Sequence, residues 1–119
     1  MIIYQKWICR EDLKANPDVW YLFGDNLEMK GYGGQAKEMR GEPNAIGIPT
    51  KISPNNLPKS FLSDNNFNQV KEVLDHIFSM LKDYPTIIVP LDGLGTGLAQ
   101  LPTKAPKIYK YINDWLERL

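Results

Sequence analysis

All nine glycines of this 119-residue chain fall between Gly24 and Gly47 or between Gly93 and Gly97. Each window follows an apolar, β-favouring run: Val19-Trp20-Tyr21-Leu22-Phe23 before the first, Thr86-Ile87-Ile88-Val89 before the second. Glycine after a strand lets the backbone approach a ligand closely, and a loop of converging amides that leads into a helix suits phosphate. Two such loops at neighbouring strand ends would grip a diphosphate from both sides. Asp25 and Asp92 each sit at a strand end beside glycines. A carboxylate there either orients a ligand hydroxyl or serves as a general base, or else it caps the loop backbone as an Asx-turn. Asn26 carries the same pair of readings. Tyr32, between loop glycines, is placed to stack on a base or sugar face. Neither window is a Walker A loop, because no Gly-Lys-Ser/Thr follows, and Gly31-x-Gly33 opens a dinucleotide fingerprint without its third glycine.

The elements that must hold these loops can be read from periodicity. Ile2 to Ile8 reads as a short strand, and Glu11 to Ala15 as a helical turn stopped by Asn16-Pro17. The run Val19 to Phe23 suits a strand buried on both faces, as in a parallel sheet. Gln35 to Arg40 reads as a helix closed by Gly41, and Ala45 to Ile48 as a strand capped by Pro49. Ser53 to Asn66 is polar and rich in Pro and Asn, which predicts a mobile loop, with Asp64 as a cap for the next helix. Phe67, Val70, Leu74, Ile77, Phe78 and Leu81 recur at three and four, the spacing of a helix with one buried face. A last helix starts near Ala105, with Ile108, Tyr109, Ile112, Trp115, Leu116 and Leu119 as its stripe. Trp7, Trp20 and Trp115 read as core, and Cys9 as packing. Helices alternating with buried strands predict one α/β domain over residues 1–119, with a mainly parallel mixed sheet flanked by helices in three layers.

Composition narrows the function classes. Fourteen basic and fourteen acidic residues cancel, so no global field attracts nucleic acid or membrane. One Cys and one His exclude an internal disulfide and leave no Cys/His zinc site within one chain, so no metal and no cofactor are expected. The N-terminus lacks a signal core, and no apolar run approaches a membrane span, which predicts a cytoplasmic protein without a membrane partner. Lys104, Lys107 and Lys110 recur every three residues, which reads as a solvated face.

In their order along the chain, several stretches resemble the macro-domain superfamily, the ADP-ribose-binding fold. Glu11-Asp12-Leu13 resembles that family's Gly-Asp-Ile turn. Phe23-Gly24-Asp25-Asn26 with Gly31-Tyr32-Gly33-Gly34-Gln35-Ala36 resembles its Asn-bearing strand end and glycine loop. Gly95-Thr96-Gly97-Leu98-Ala99-Gln100-Leu101-Pro102 resembles its phosphate loop. Ile48-Pro49-Thr50-Lys51, with Gly93-x-Gly95-x-Gly97-Leu98, resembles the terminal and DNA ADP-ribose glycohydrolases in particular.

The resemblance implies a macro-like fold and a pocket for ADP-ribose or a related NAD-derived nucleotide, free or attached to a macromolecule. Asp12 would hold adenine and Asn26 the distal ribose. Gly31, Tyr32, Gly33, Gly34 and Gln35 would line ribose and diphosphate, and Gly95, Thr96, Gly97 and Leu98 would clamp phosphate. Lys51 would inherit the catalytic role, assisted by Asp25 or Asp92. The chain departs from the pattern at Ala99, where one branch has an acid, and at Asp25, where many members have alanine. It is also short for the fold, which implies fewer peripheral elements. A non-catalytic module that binds or sequesters the nucleotide is the competing reading, and a domain whose glycines only serve turns is the third.

Overall fold

Tyr21 and Phe23 of strand β2 (Trp20–Asn26) pack into one apolar cluster, and Leu22 between them packs into another. The alternation is that of a strand buried on both faces, and it explains why its sequence is continuously apolar. Strand β4 (Ile87–Pro90) repeats it, with Ile87 and Val89 in the larger cluster and Ile88 in the smaller. The computed structural model describes residues 1–119. Its four strands, completed by β1 (Ile2–Gln5) and β3 (Ala45–Lys51), form one sheet in the order β1-β4-β2-β3.

Every strand pairing in that sheet is parallel. The expectation of a mixed sheet is therefore corrected. Each connection carries a helix, so no hairpin arises, and the one antiparallel contact is an isolated bridge between Lys51 and Phe61. Helices α1 (Arg10–Ala15) and α2 (Ala36–Met39) cover one face through Leu13, Ala36 and Met39. Helices α3 (Phe67–Leu81) and α5 (Pro106–Arg118) cover the other through Val70, Leu74, Phe78, Ile108, Ile112 and Leu116. A four-residue helix α4 (Leu101–Lys104) leads into α5. The result is a three-layer α/β arrangement. No helix is long and apolar enough to cross a membrane.

Several boundaries differ from the periodicity reading. β1 stops at Gln5, because the backbone of Ile8 pairs instead with the Gln35 carboxamide, at 2.8 and 2.9 Å. Trp7 is consequently exposed rather than core. Pro49 does not cap β3, which continues to Lys51. β3 is an edge strand, and its register against β2 shifts between Asp25 and Asn26, the setting in which a strand tolerates proline. The polar stretch Ser53 to Asn66 folds back on β3: Ile52 donates to the Ser60 carbonyl at 2.8 Å, and two short 3₁₀ turns follow. Asp64 caps α5 rather than α3, accepting from the Lys107 amide at 3.0 Å.

Asp75 joins α3 to α5. It accepts from the Tyr111 hydroxyl, from Trp115 Nε1 at 2.9 Å and from Lys71 Nζ at 2.9 Å. These donors, Tyr111 foremost, hold its carboxyl down at about 2. The folded value lies below the unfolded one, so the stabilisation is complete above about pH 4 and is lost as pH falls toward 2. The carboxylate is a third exposed, so Asp75→Ala is expected to cost only about 1 kcal/mol at pH 7. Urea melts of both proteins from pH 7 to pH 2 should show that difference shrinking below pH 4.

Candidate functional site

The chain leaves β2 toward α2 on one face of the sheet and leaves β4 toward α4 and α5 on the other. β2 and β4 are neighbours. A crevice between adjacent parallel strands whose connections part in this way is where open α/β sheets bind ligands. Here it is a cleft of roughly 720 Å³, lined from both glycine windows. The windows touch: a Cβ on Gly24 would lie 3.4 Å from the Gly95 amide, and one on Gly33 would lie 3.2 Å from Leu98 Cδ1. Gly95 combines φ of +79° with Leu101 Cβ 2.9 Å from where its own Cβ would stand, so no other residue fits there.

The loop amides are the cleft's main polar resource. The N–H groups of Gly31, Tyr32, Gly33, Gly34 and Gln35 donate to no acceptor in the protein, nor do those of Gly95, Thr96, Gly97, Leu98 and Ala99. All ten residues line the cleft. So do Lys6, Lys30, Arg40 and Lys51, against the acids Asp25 and Asp92, which leaves the lining net positive. Paired donors in a positive cleft fit an anion. No cluster of three or more His, Cys, Asp or Glu side chains could hold a metal ion.

Arg40, which pattern reading passed over, organises the first loop. Its guanidinium clasps both oxygens of the buried Asp25, at 3.1 Å for Nη1, while Nε donates to the Gly31 carbonyl at 2.7 Å and Nη2 to that of Lys30 at 3.1 Å. In sequence it looks like an ordinary basic residue at a helix end. Asp25 also accepts the Asn26 amide at 2.8 Å. Both oxygens of this carboxylate are thus tied to neighbouring groups. Gly47 makes room for it: a Cβ there would lie 2.8 Å from Asp25 Cβ.

Other expected residues divide in the same way. Asn26 is buried, and its carboxamide donates to the Lys30 carbonyl at 2.7 Å, closing the turn before the glycine loop. Gln35 lines the cleft with both ends of its amide spent on Ile8. Asp12 lies outside the lining, accepting from the Cys9 amide at 2.9 Å and from Gln5 Nε2 at 3.0 Å. Tyr32 is exposed at the rim, as are Thr96 and Leu98. Asp92 is exposed and pairs with nothing.

Lys51 is the exception among buried charges. It is 7% exposed, and no carboxylate lies within salt-bridge distance. Nζ donates to the Asn55 carbonyl at 2.7 Å and stands 4.6 Å from the centre of the Phe61 ring. Desolvation pushes its pKa below the ordinary lysine value. The register shift at the ends of β2 and β3 lies immediately beside it; such irregularities re-aim side chains next to sites.

A family model matches residues 3–115, so the chain belongs to a family of unknown function, DUF7831. No curated protein and no solved structure matches it.

The ion pair makes a testable claim about the site's frame. Arg40→Met leaves Asp25 buried without its counter-ion and is expected to cost about 3–5 kcal/mol in chemical denaturation. A loss below about 1 kcal/mol would mean that Asp25 is not held as described.

Proposed function

We propose that this member of the family binds ADP-ribose or a related NAD-derived nucleotide in the cleft, with the two glycine loops holding its diphosphate. The observation that carries the reading is two runs of loop amides without an acceptor in the protein, in residues that line one cleft at the crevice between β2 and β4. The excess of cationic side chains favours an anion of about two charges, and the cleft's size lies within the range of small-molecule sites. The ordered likeness to macro domains extends this from phosphate to a nucleotide and supports a macro-like fold for the three-layer arrangement.

Lys51 favours chemistry in the same site. A desolvated amine with no carboxylate beside it keeps more of its neutral, nucleophilic form than an exposed lysine does. Attack of Nζ on the anomeric carbon of the distal ribose would expel the linked group with the bonding electron pair, the amine proton passing to that group or to a base. Opening of the sugar gives a Schiff base, and water then releases ADP-ribose and the free lysine. Asp92 is the cleft's one unpaired carboxylate and so the freer of the two acids to take the proton. Ala99, where one branch of macro domains has an acid, supports the competing reading of binding without turnover.

Calorimetry with ADP-ribose tests the binding. Gly97 has no left-handed backbone, and a Cβ there meets nothing within 4 Å. Gly97→Glu should therefore keep the wild-type melting temperature yet weaken binding about 100-fold by setting a carboxylate among the phosphate donors. Wild-type protein that fails to bind at millimolar ligand would overturn the proposal. Lys51→Ala should spare ADP-ribose binding while abolishing release from an ADP-ribosylated substrate and the adduct trapped by cyanoborohydride. Because the amine must be neutral, release should rise with pH through a value below lysine's usual one of about 10.4. Unchanged turnover in Lys51→Ala would leave binding alone.

A further inference from the structure

Trp7 belongs to neither apolar cluster. It is 56% exposed, on the segment between β1 and α1, and lines the same cleft as the glycine loops. Leu91, just past β4, also lines the cleft and is half exposed; its amide donates to the Gln5 carbonyl at 2.7 Å, which joins the two segments. Two large apolar side chains at the β1 end of an otherwise amide-rich cleft leave a place for a flat, apolar-faced group.

Gln5 supplies the polar half of that end. Its Nε2 donates to Asp12 Oδ2 at 3.0 Å. A carboxylate can only accept, so the bond fixes which way the carboxamide points. Asp12 is itself fixed by the Cys9 amide. Gln5 is left with Oε1 and one N–H unpaired, in a residue that lines the cleft. An acceptor and a donor side by side match the exocyclic amine and adjacent ring nitrogen of adenine.

The sheet gives the ligand a direction. β1 and β3 are the two edges, and Gln5 and Lys51 are the last residues of each. Three inter-strand steps of about 4.8 Å set those ends roughly 14 Å apart across the sheet, and the register carries Lys51 further along the strand direction than Gln5, with the loops after β4 and β2 between them. Base, diphosphate and distal sugar lie in that order along an extended nucleotide.

We infer that Trp7 and Gln5 form the base-reading end of the cleft. The indole stacks on adenine, the carboxamide reads its edge, and Asp12 acts through Gln5 rather than on the base. This rests on the nucleotide reading above and adds the side chains that would read the base at the β1 end.

Calorimetry on the full chain with ADP-ribose, its hypoxanthine counterpart and inorganic pyrophosphate tests it. Trp7→Ala should weaken ADP-ribose about tenfold or more and leave pyrophosphate unchanged, with Trp7→Phe recovering most of the loss. Gln5→Leu should erase a preference of about tenfold for adenine over hypoxanthine. Trp7 is exposed, so the melting temperature should hold in its variants. If Trp7→Ala binds ADP-ribose like the wild type, or loses pyrophosphate equally, the base-reading end is overturned while the nucleotide reading stands. Wild-type protein that binds pyrophosphate but not ADP-ribose would overturn the nucleotide reading, and the base-reading end with it.

Discussion

The Asp25 carboxylate is buried at the C-terminal end of β2, and a charge in that position is tolerated only because Arg40 pairs with it in a two-pronged clasp. The consequences spread through the whole cleft. Arg40 reaches Asp25 from the end of α2, so α2 must pack where Ala36 and Met39 place it. Its remaining N–H groups take the carbonyls of Lys30 and Gly31, which spends the acceptors of the loop and leaves that loop's donors free. On the other side, β3 can approach only because position 47 has no side chain. One ion pair thus couples a strand, a helix, a loop and the neighbouring strand.

The two buried charges beside this cleft are handled in opposite ways. Asp25 is neutralised and hydrogen-bonded, which makes it a fixed part of the frame. Lys51 receives a carbonyl and an aromatic face but no counter-charge. Burial without a partner disfavours the charged form, and the downward pKa shift records that cost. The chain thus gives one buried charge a counter-ion and leaves another, on the adjacent strand, without one. Groups whose pKa is shifted by desolvation are enriched at functional sites.

Much of the frame was legible in the sequence, because hydrophobic period is a direct imprint of burial. Phe67 to Leu81 folds as the helix its three-and-four spacing predicts, and the runs ending at Phe23 and Val89 are the central strands. Both glycine windows do open onto one cleft. Features that depend on long-range side-chain pairing were not legible. The pairing of Gln35 with Ile8, 27 residues away, ends β1 early and turns Trp7 outward. The clasp between Arg40 and Asp25 ties up a carboxylate that looks free in the sequence. Neither has a local pattern, since each depends on where the fold brings two distant polar groups. Pro49 misled for a different reason: its missing N–H breaks a central strand, but β3 lies on an edge.

Why the glycines cluster as they do follows from the same polar accounting. A loop crossing the end of a parallel sheet must either pair its amides within the protein or present them outward. Acceptors near these loops are taken: Arg40 occupies the carbonyls of Lys30 and Gly31, and the Leu101 amide occupies that of Gly95. At Gly33 and Gly95 a side chain would also collide with the other window or its helix, at 3.2 Å from Leu98 Cδ1 and 2.9 Å from Leu101 Cβ. What remains is a cleft lined by residues with free backbone amides, with a cation on the β3 side and an indole on the β1 side. This is the arrangement on which the proposed nucleotide reading rests: free amides in the middle, an indole at one end and an amine at the other.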